Sequence, residues 1–187
     1  MEKISKIFKL MMLLLLVSSA MATAQTIDKA LGRVEKVNGV YVFTDSEPAS
    51  KYEILDRVKV HITWSGQYNE VRDKLVKKTL KDYPKCEAIV CDNPAIVMQY
   101  DQSVADSDKA LARVRKVNGL LVFTDCEPVN EYDIVERESA TFGFSSDYDS
   151  IRNKLIKKAI KDYPDADGVI LQFKTGGTDR AVVIKFK

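Results

Sequence analysis

The sequence predicts an α+β fold made twice: two tandem copies of a β-β-β-α-β-β domain, each a mostly antiparallel sheet with one helix packed on one face. Three observations carry this. The chain repeats itself at an offset of 80 residues. Each copy holds an Asn-Gly pair between β-rich runs. Each also holds one long amphipathic stretch that ends at a proline.

The repeat is explicit. Asp28-Lys-Ala-Leu returns as Asp108-Lys-Ala-Leu, Lys36-Val-Asn-Gly as Lys116-Val-Asn-Gly, Val42-Phe-Thr-Asp as Val122-Phe-Thr-Asp, and Lys81-Asp-Tyr-Pro as Lys161-Asp-Tyr-Pro. About 30 of the 63 positions from 28 to 90 are identical at this offset, which marks an internal repeat. The copies end alike, at Ala95-Ile-Val-Met-Gln-Tyr and Ala181-Val-Val-Ile-Lys-Phe. The second copy carries extra residues before that ending, around Lys174 to Asp179, which read as a longer hairpin turn.

Asn38-Gly39 and Asn118-Gly119 supply the two positive-φ residues of a type I′ turn, so each predicts a tight hairpin. A turn at Asp-x-Glu-Pro follows, at Asp45 to Pro48 and Asp125 to Pro128. In the next strand Tyr52, Ile54, Val58, Val60, Ile62 and Trp64 are expected on one face, with Asp56 the exception. Arg57, Lys59, His61 and Thr63 are expected on the other, wet face. A helix comes next, with Ser65 or Ser145 near its N-cap. Tyr68, Val71, Leu75, Val76, Leu80 and Tyr83 follow helical spacing, as do Tyr148, Ile151, Leu155, Ile156, Ile160 and Tyr163. Pro84 and Pro164 stop the helices. Two short strands close each copy.

A strand Tyr-x-Ile-Leu-x-x-Val (Tyr52 to Val58), a long helix, then Ala-Asp-Gly-Val-Ile (Ala166 to Ile170) and a final hairpin resemble the heavy-metal-binding domain family and the related envelope stress-sensor lipoproteins. The resemblance implies the fold of each copy. Asp56 and Glu136 stand where that family usually has glycine, and metal binding and sensing are not carried over. The tandem style and the Ala-Gln junction near residue 25 look like exported Bacteroidetes-type proteins.

Export is expected from the first residues. Lys3, Lys6 and Lys9 precede the apolar run Leu10 to Val17, then small residues ending in Ala22-Thr23-Ala24. That is the order of a cleavable signal peptide, with cleavage expected between Ala24 and Gln25. The run is too short for a membrane span, which takes about 20 residues. The expected organisation is residues 1–24 signal peptide, 25–103 first repeat domain and 104–187 second. The expected location is periplasmic or secreted, with no membrane-spanning mature chain. Residues 25–187 hold 26 basic and 26 acidic residues. A neutral chain gives no electrostatic reason to expect nucleic-acid binding.

Candidate chemistry is sparse. His61 is the one histidine, and Thr141 replaces it in the second copy. It reads as an exposed strand residue. Cys86 and Cys91 would lie about 16 Å apart in an extended strand, beyond the roughly 7 Å a disulfide allows. No cysteine is shared between copies, and the spacing is not that of a zinc site. Asp45 and Glu47, with Asp125 and Glu127, could offer two carboxylates each to a hard cation such as Ca2+; the alternative is a solvated turn. Lys74, Lys77, Lys78 and Lys81 recur as Lys154, Lys157, Lys158 and Lys161, either a solvated face or one that meets an acidic partner or lipid headgroups. No catalytic residue and no cofactor site is expected. The expectation is a non-enzymatic exported binding or assembly protein of the envelope, with a protein partner or self-association, strand addition at sheet edges being one mode. The alternatives are a metal-ion-binding module, or a hydrolase with a site between the domains.

Overall fold

Asn38 and Asn118 adopt a φ of 51°, and Gly39 and Gly119 follow at 87° and 94°. These left-handed residues turn the chain tightly between β2 (Lys36–Val37) and β3 (Val40–Phe43), as the Asn-Gly pairs require. The computed structural model describes residues 28–59, 68–92, 94–140, 147–173 and 178–187. His61, Ser65, Ser145, Val60, Ile62, Trp64 and the signal segment with its Ala24–Gln25 junction lie outside them.

The first half runs β1 (Leu31–Val34), β2, β3, β4 (Ser46–Pro48), β5 (Tyr52–Val58), α1 (Tyr68–Asp82), β6 (Ala88–Val90) and β7 (Ala95–Tyr100). A short helix α2 (Asp106–Lys109) opens the second half. The same order follows: β8 (Leu111–Val114), β9 (Lys116–Val117), β10 (Leu120–Thr124), β11 (Cys126–Pro128), β12 (Tyr132–Ala140), α3 (Tyr148–Asp162), β13 (Gly168–Gln172) and β14 (Asp179–Phe186). The class is α+β with antiparallel pairing dominant. Each half has one parallel pair, β3 with β6 and β10 with β13. No helix among the described residues is long and apolar enough to cross a membrane.

Three sheets form. Each half makes a five-stranded sheet, β2-β3-β6-β7-β5 and β9-β10-β13-β14-β12. A third sheet, β11-β1-β8-β4, takes two strands from each half. The Asp-x-Glu-Pro segments, expected as turns, are therefore strands. Asp45 and Asp125, at φ 52° and 51°, make the bend, and the next residues cross to pair with the other half. Pro48 and Pro128 sit on the outer strands of that sheet, where a residue without an N–H is tolerated.

Helix α1 packs Leu75 and Val76 against Val42, Ile89 and Val97, and α3 packs Leu155 and Ile156 against Val122, Val169 and Val183. The opposite faces of both sheets share one cluster. It joins Phe43, Met98 and Tyr100 to Phe123, Ile184 and Phe186, and to Val34, Ala112, Val114 and Cys126 of the four-stranded sheet. Both helices thus lie on the side of the five-stranded sheets away from the four-stranded one. Helix α1 ends at Asp82 and α3 at Asp162, ahead of the prolines. The N-cap of α3 is Asp147, which accepts from the Ser150 N–H at 2.7 Å, in place of the expected Ser145.

The face assignment of the long strand is corrected. Ile54 pairs with Met98, whereas Asp56 pairs with Val97, so Leu55 is an extra residue, a β-bulge. The bulge flips the alternation. Tyr52 and Ile54 lie on the face of the shared cluster, and Asp56 and Val58 on the helix face. Asp56 there accepts the Tyr83 hydroxyl. Val135 plays the same part in β12.

Candidate functional site

The densest polar arrangement lies where the first residues of α1 and α3 meet. The rings of Tyr68 and Tyr148 are 4.8 Å apart, and Phe173 packs against both. Helical spacing marked Tyr68 and Tyr148 as core. They are buried, yet each hydroxyl crosses to the other half. Tyr68 donates to Asp125 at 2.6 Å, and Tyr148 donates to Asp45 at 2.5 Å. Arg72, one helical turn on from Tyr68, donates to Asp125 at 2.8 Å, and Arg152 donates to Asp45 at 2.6 Å. Thr44 and Thr124, bridged to each other, hydrogen-bond Tyr68 and Tyr148. The left-handed bend at each aspartate aims its carboxylate into the facing half.

The electrostatics are those of a satisfied network. Burial pushes the Tyr68 hydroxyl well above its ordinary pKa, and the charge of Asp125 adds to the shift. Tyr148 is raised likewise, by burial and then by Asp45. Burial works against the charge on Arg72, and Asp125 more than reverses it. Cys91, hydrogen-bonded to Thr44, is pushed up to about 12 by burial, and so is Cys126. No disulfide joins Cys86, Cys91 and Cys126. A polar cavity of about 160 Å³ flanks Asp45, lined by Ser46, Cys91, Arg115 and Arg152. One of about 570 Å³ flanks Asp125, with Arg33, Lys36, Arg72 and Phe173.

The carboxylates singled out in the sequence are pulled apart. Asp45 serves Tyr148 and Arg152, while Glu47 pairs with Arg115 at 2.9 Å. Asp125 serves Tyr68 and Arg72, while the exposed Glu127 accepts from Tyr132 at 3.5 Å. Among the described residues no group of three or more His, Cys, Asp or Glu side chains could hold a metal ion. The tyrosines, arginines and threonines of the network were not singled out. A signal existed: Thr44, Tyr68 and Arg72 recur at the 80-residue offset, together with Asp45.

A second feature stands at the sheet edges. Among the described residues the exposed large apolar ones are Ile54, Leu55, Val129, Ile134 and Val135. Four of these five sit at the bulges of β5 and β12. Each of these strands is the last in its sheet, paired on one side among the described residues. Comparison with family models, with curated proteins and with solved structures finds no match for this chain.

Proposed function

We propose that the chain is a non-enzymatic exported protein of the cell envelope that binds or assembles with a protein partner by strand addition at β5 and β12. One observation carries the reading: both edges expose an apolar pair at the same bulge. Ile54-Leu55 is 46% and 40% exposed, and Ile134-Val135 is 47% and 43% exposed. An edge strand offers unpaired N–H and C=O groups to an incoming strand, and here an apolar pair stands exposed between Glu53 and Asp56 and between Asp133 and Glu136. The repeat sharpens the point. Exposed positions drift between the halves: Glu35, Lys51 and Lys85 become Arg115, Glu131 and Asp165. Both edges keep three positions of seven, while Val58 becomes Glu138. Tyr52, Ile54 and Arg57 recur as Tyr132, Ile134 and Arg137, although the isoleucine is not packed away. The two edges are related by the repeat, so the reading gives one chain two equivalent sites, as suits assembly.

A non-enzymatic role is supported by the axial network, in which each aspartate is held by an arginine and a tyrosine hydroxyl. The signal segment supports the envelope location. The test compares wild type with Ile54→Lys/Ile134→Lys in pull-downs from the native envelope fraction, after circular dichroism has matched their melts. A partner held by wild type and lost by the variant is expected. A partner held equally by both overturns strand addition.

A further inference from the structure

The two lysine rows bear a different function from the edges. Lys74, Lys77, Lys78 and Lys81 lie at i, i+3, i+4 and i+7 on α1, so they form one stripe. Lys154, Lys157, Lys158 and Lys161 do the same on α3. All eight are exposed. The row spans two turns, more than the last turn in which a helix dipole favours cations. It also survives in both halves intact, while other exposed positions reverse their charge. Acidic groups border the rows: Glu70 and Asp73 precede Lys74 and Lys77 by one turn on α1, Asp82 and Asp162 close the rows, and Glu138 pairs with Lys158. Glu138, buried at 7% exposure, neutralises Lys158, which therefore does not count toward the positive surface.

The two rows ride on helices that meet at their first residues. Each helix covers the face of its sheet that points away from the four-stranded sheet, and the first residues of the two helices touch. On α3 the lysines wall a shallow depression of about 670 Å³ that runs to Ser139 of β12 and is floored by their stems and Ile160. Lysines whose apolar stems line such a depression suit the boundary between headgroup and acyl chain.

We infer that the outer helix faces dock on an anionic phospholipid bilayer, with headgroup phosphates on the ammoniums of Lys74, Lys77, Lys81, Lys157 and Lys161 and the apolar floor of the α3 depression at the acyl boundary. An acidic polypeptide would meet the charges but has no use for the apolar floor, so lipid is the occupant the geometry favours. Each lysine near an anionic surface contributes about 1 kcal/mol. Losing four should therefore weaken binding by about a thousandfold.

The test is co-sedimentation with vesicles of phosphatidylcholine alone or with phosphatidylglycerol. Wild type is compared with Lys77→Gln/Lys81→Gln/Lys157→Gln/Lys161→Gln, all proteins sharing an N-terminus fixed by mass spectrometry. Glutamine keeps helix propensity, and Lys158 is left in place to hold Glu138. Binding to the phosphatidylglycerol vesicles only, lost in the variant and in high salt, is expected. The two single-helix double variants should each lose part of it. Absent binding, binding unchanged in the fourfold variant, or binding to polyglutamate without binding to vesicles each overturns the inference.

Discussion

Gly32 has no room for a side chain. A Cβ there would stand 2.3 Å from the Cys126 sulfur and 3.2 Å from the Glu127 carbonyl oxygen. The other half solves the same contact differently: Ala112 lies beside Pro48 in the pairing that brings Ser46 against Val114. Glycine facing cysteine in one place is alanine facing serine in the other. Gly32→Ala should therefore destabilise by about 1–3 kcal/mol through overpacking. Adding Cys126→Ser should restore much of that loss. A urea-melt double-mutant cycle reads the coupling, and purely additive losses would refute it. Asp147 gives a second prediction at this scale. Its carboxyl is held below the ordinary carboxylate range, first by the Ser150 backbone N–H. A depressed folded pKa stabilises above the unfolded value near 3.9 and is lost as pH falls through the folded one. Asp147→Ala should cost about 1 kcal/mol at neutral pH. The gap to wild type should close on acidification, measured as melting temperature against pH.

At the scale of elements, the axial latch is the contact most sensitive to a single change. Asp125 neutralises an arginine that is only 16% exposed. Asp125→Ala leaves Arg72 and the Tyr68 hydroxyl without that partner, which should cost about 2–4 kcal/mol. Asp45→Ala should cost about the same, since Arg152 is equally enclosed. Removal of a solvated turn carboxylate would leave a denaturant midpoint unmoved, so the midpoint separates the two readings. These elements also show what was legible in the sequence. Hairpins, helix limits and buried helix positions are local, set by Asn-Gly, proline and 3.6-residue spacing, and they were readable. Ser46 to Pro48 could not be read as a strand, because its partners lie some 66 residues away in β8. The bulge at Leu55 was hidden for a related reason. Period-2 reasoning assumes unbroken alternation, and one inserted residue reverses every face after it. The latch was half legible, since its residues recur at the repeat offset, but recurrence names no partner.

At the scale of the molecule, the halves are bonded to each other as a symmetric dimer would be. Lys29 reaches Asp167 at 3.2 Å, and its repeat equivalent Lys109 reaches Glu87 at 2.8 Å. The crossed aspartate latches follow the same rule, and so does the four-stranded sheet. An isolated first half, residues 28–103, would expose Val34, Phe43, Met98 and Tyr100, which the second half now covers. It should hide them against a second copy of itself. Most of the contacts survive that exchange. Lys29 can replace Lys109 opposite Glu87, and Arg72 can replace Arg152 opposite Asp45. One contact fails. Arg115, which pairs with Glu47, is replaced by Glu35, and two carboxylates then face each other. The isolated half should therefore associate weakly as a dimer, and Glu35→Arg should tighten it by roughly tenfold through a restored cross-strand ion pair. Sedimentation equilibrium at several salt concentrations reads both effects. The gain from Glu35→Arg should shrink as salt rises, because the pair is exposed. A half that stays monomeric with or without Glu35→Arg would mean that the repeat symmetry does not carry the packing of the whole.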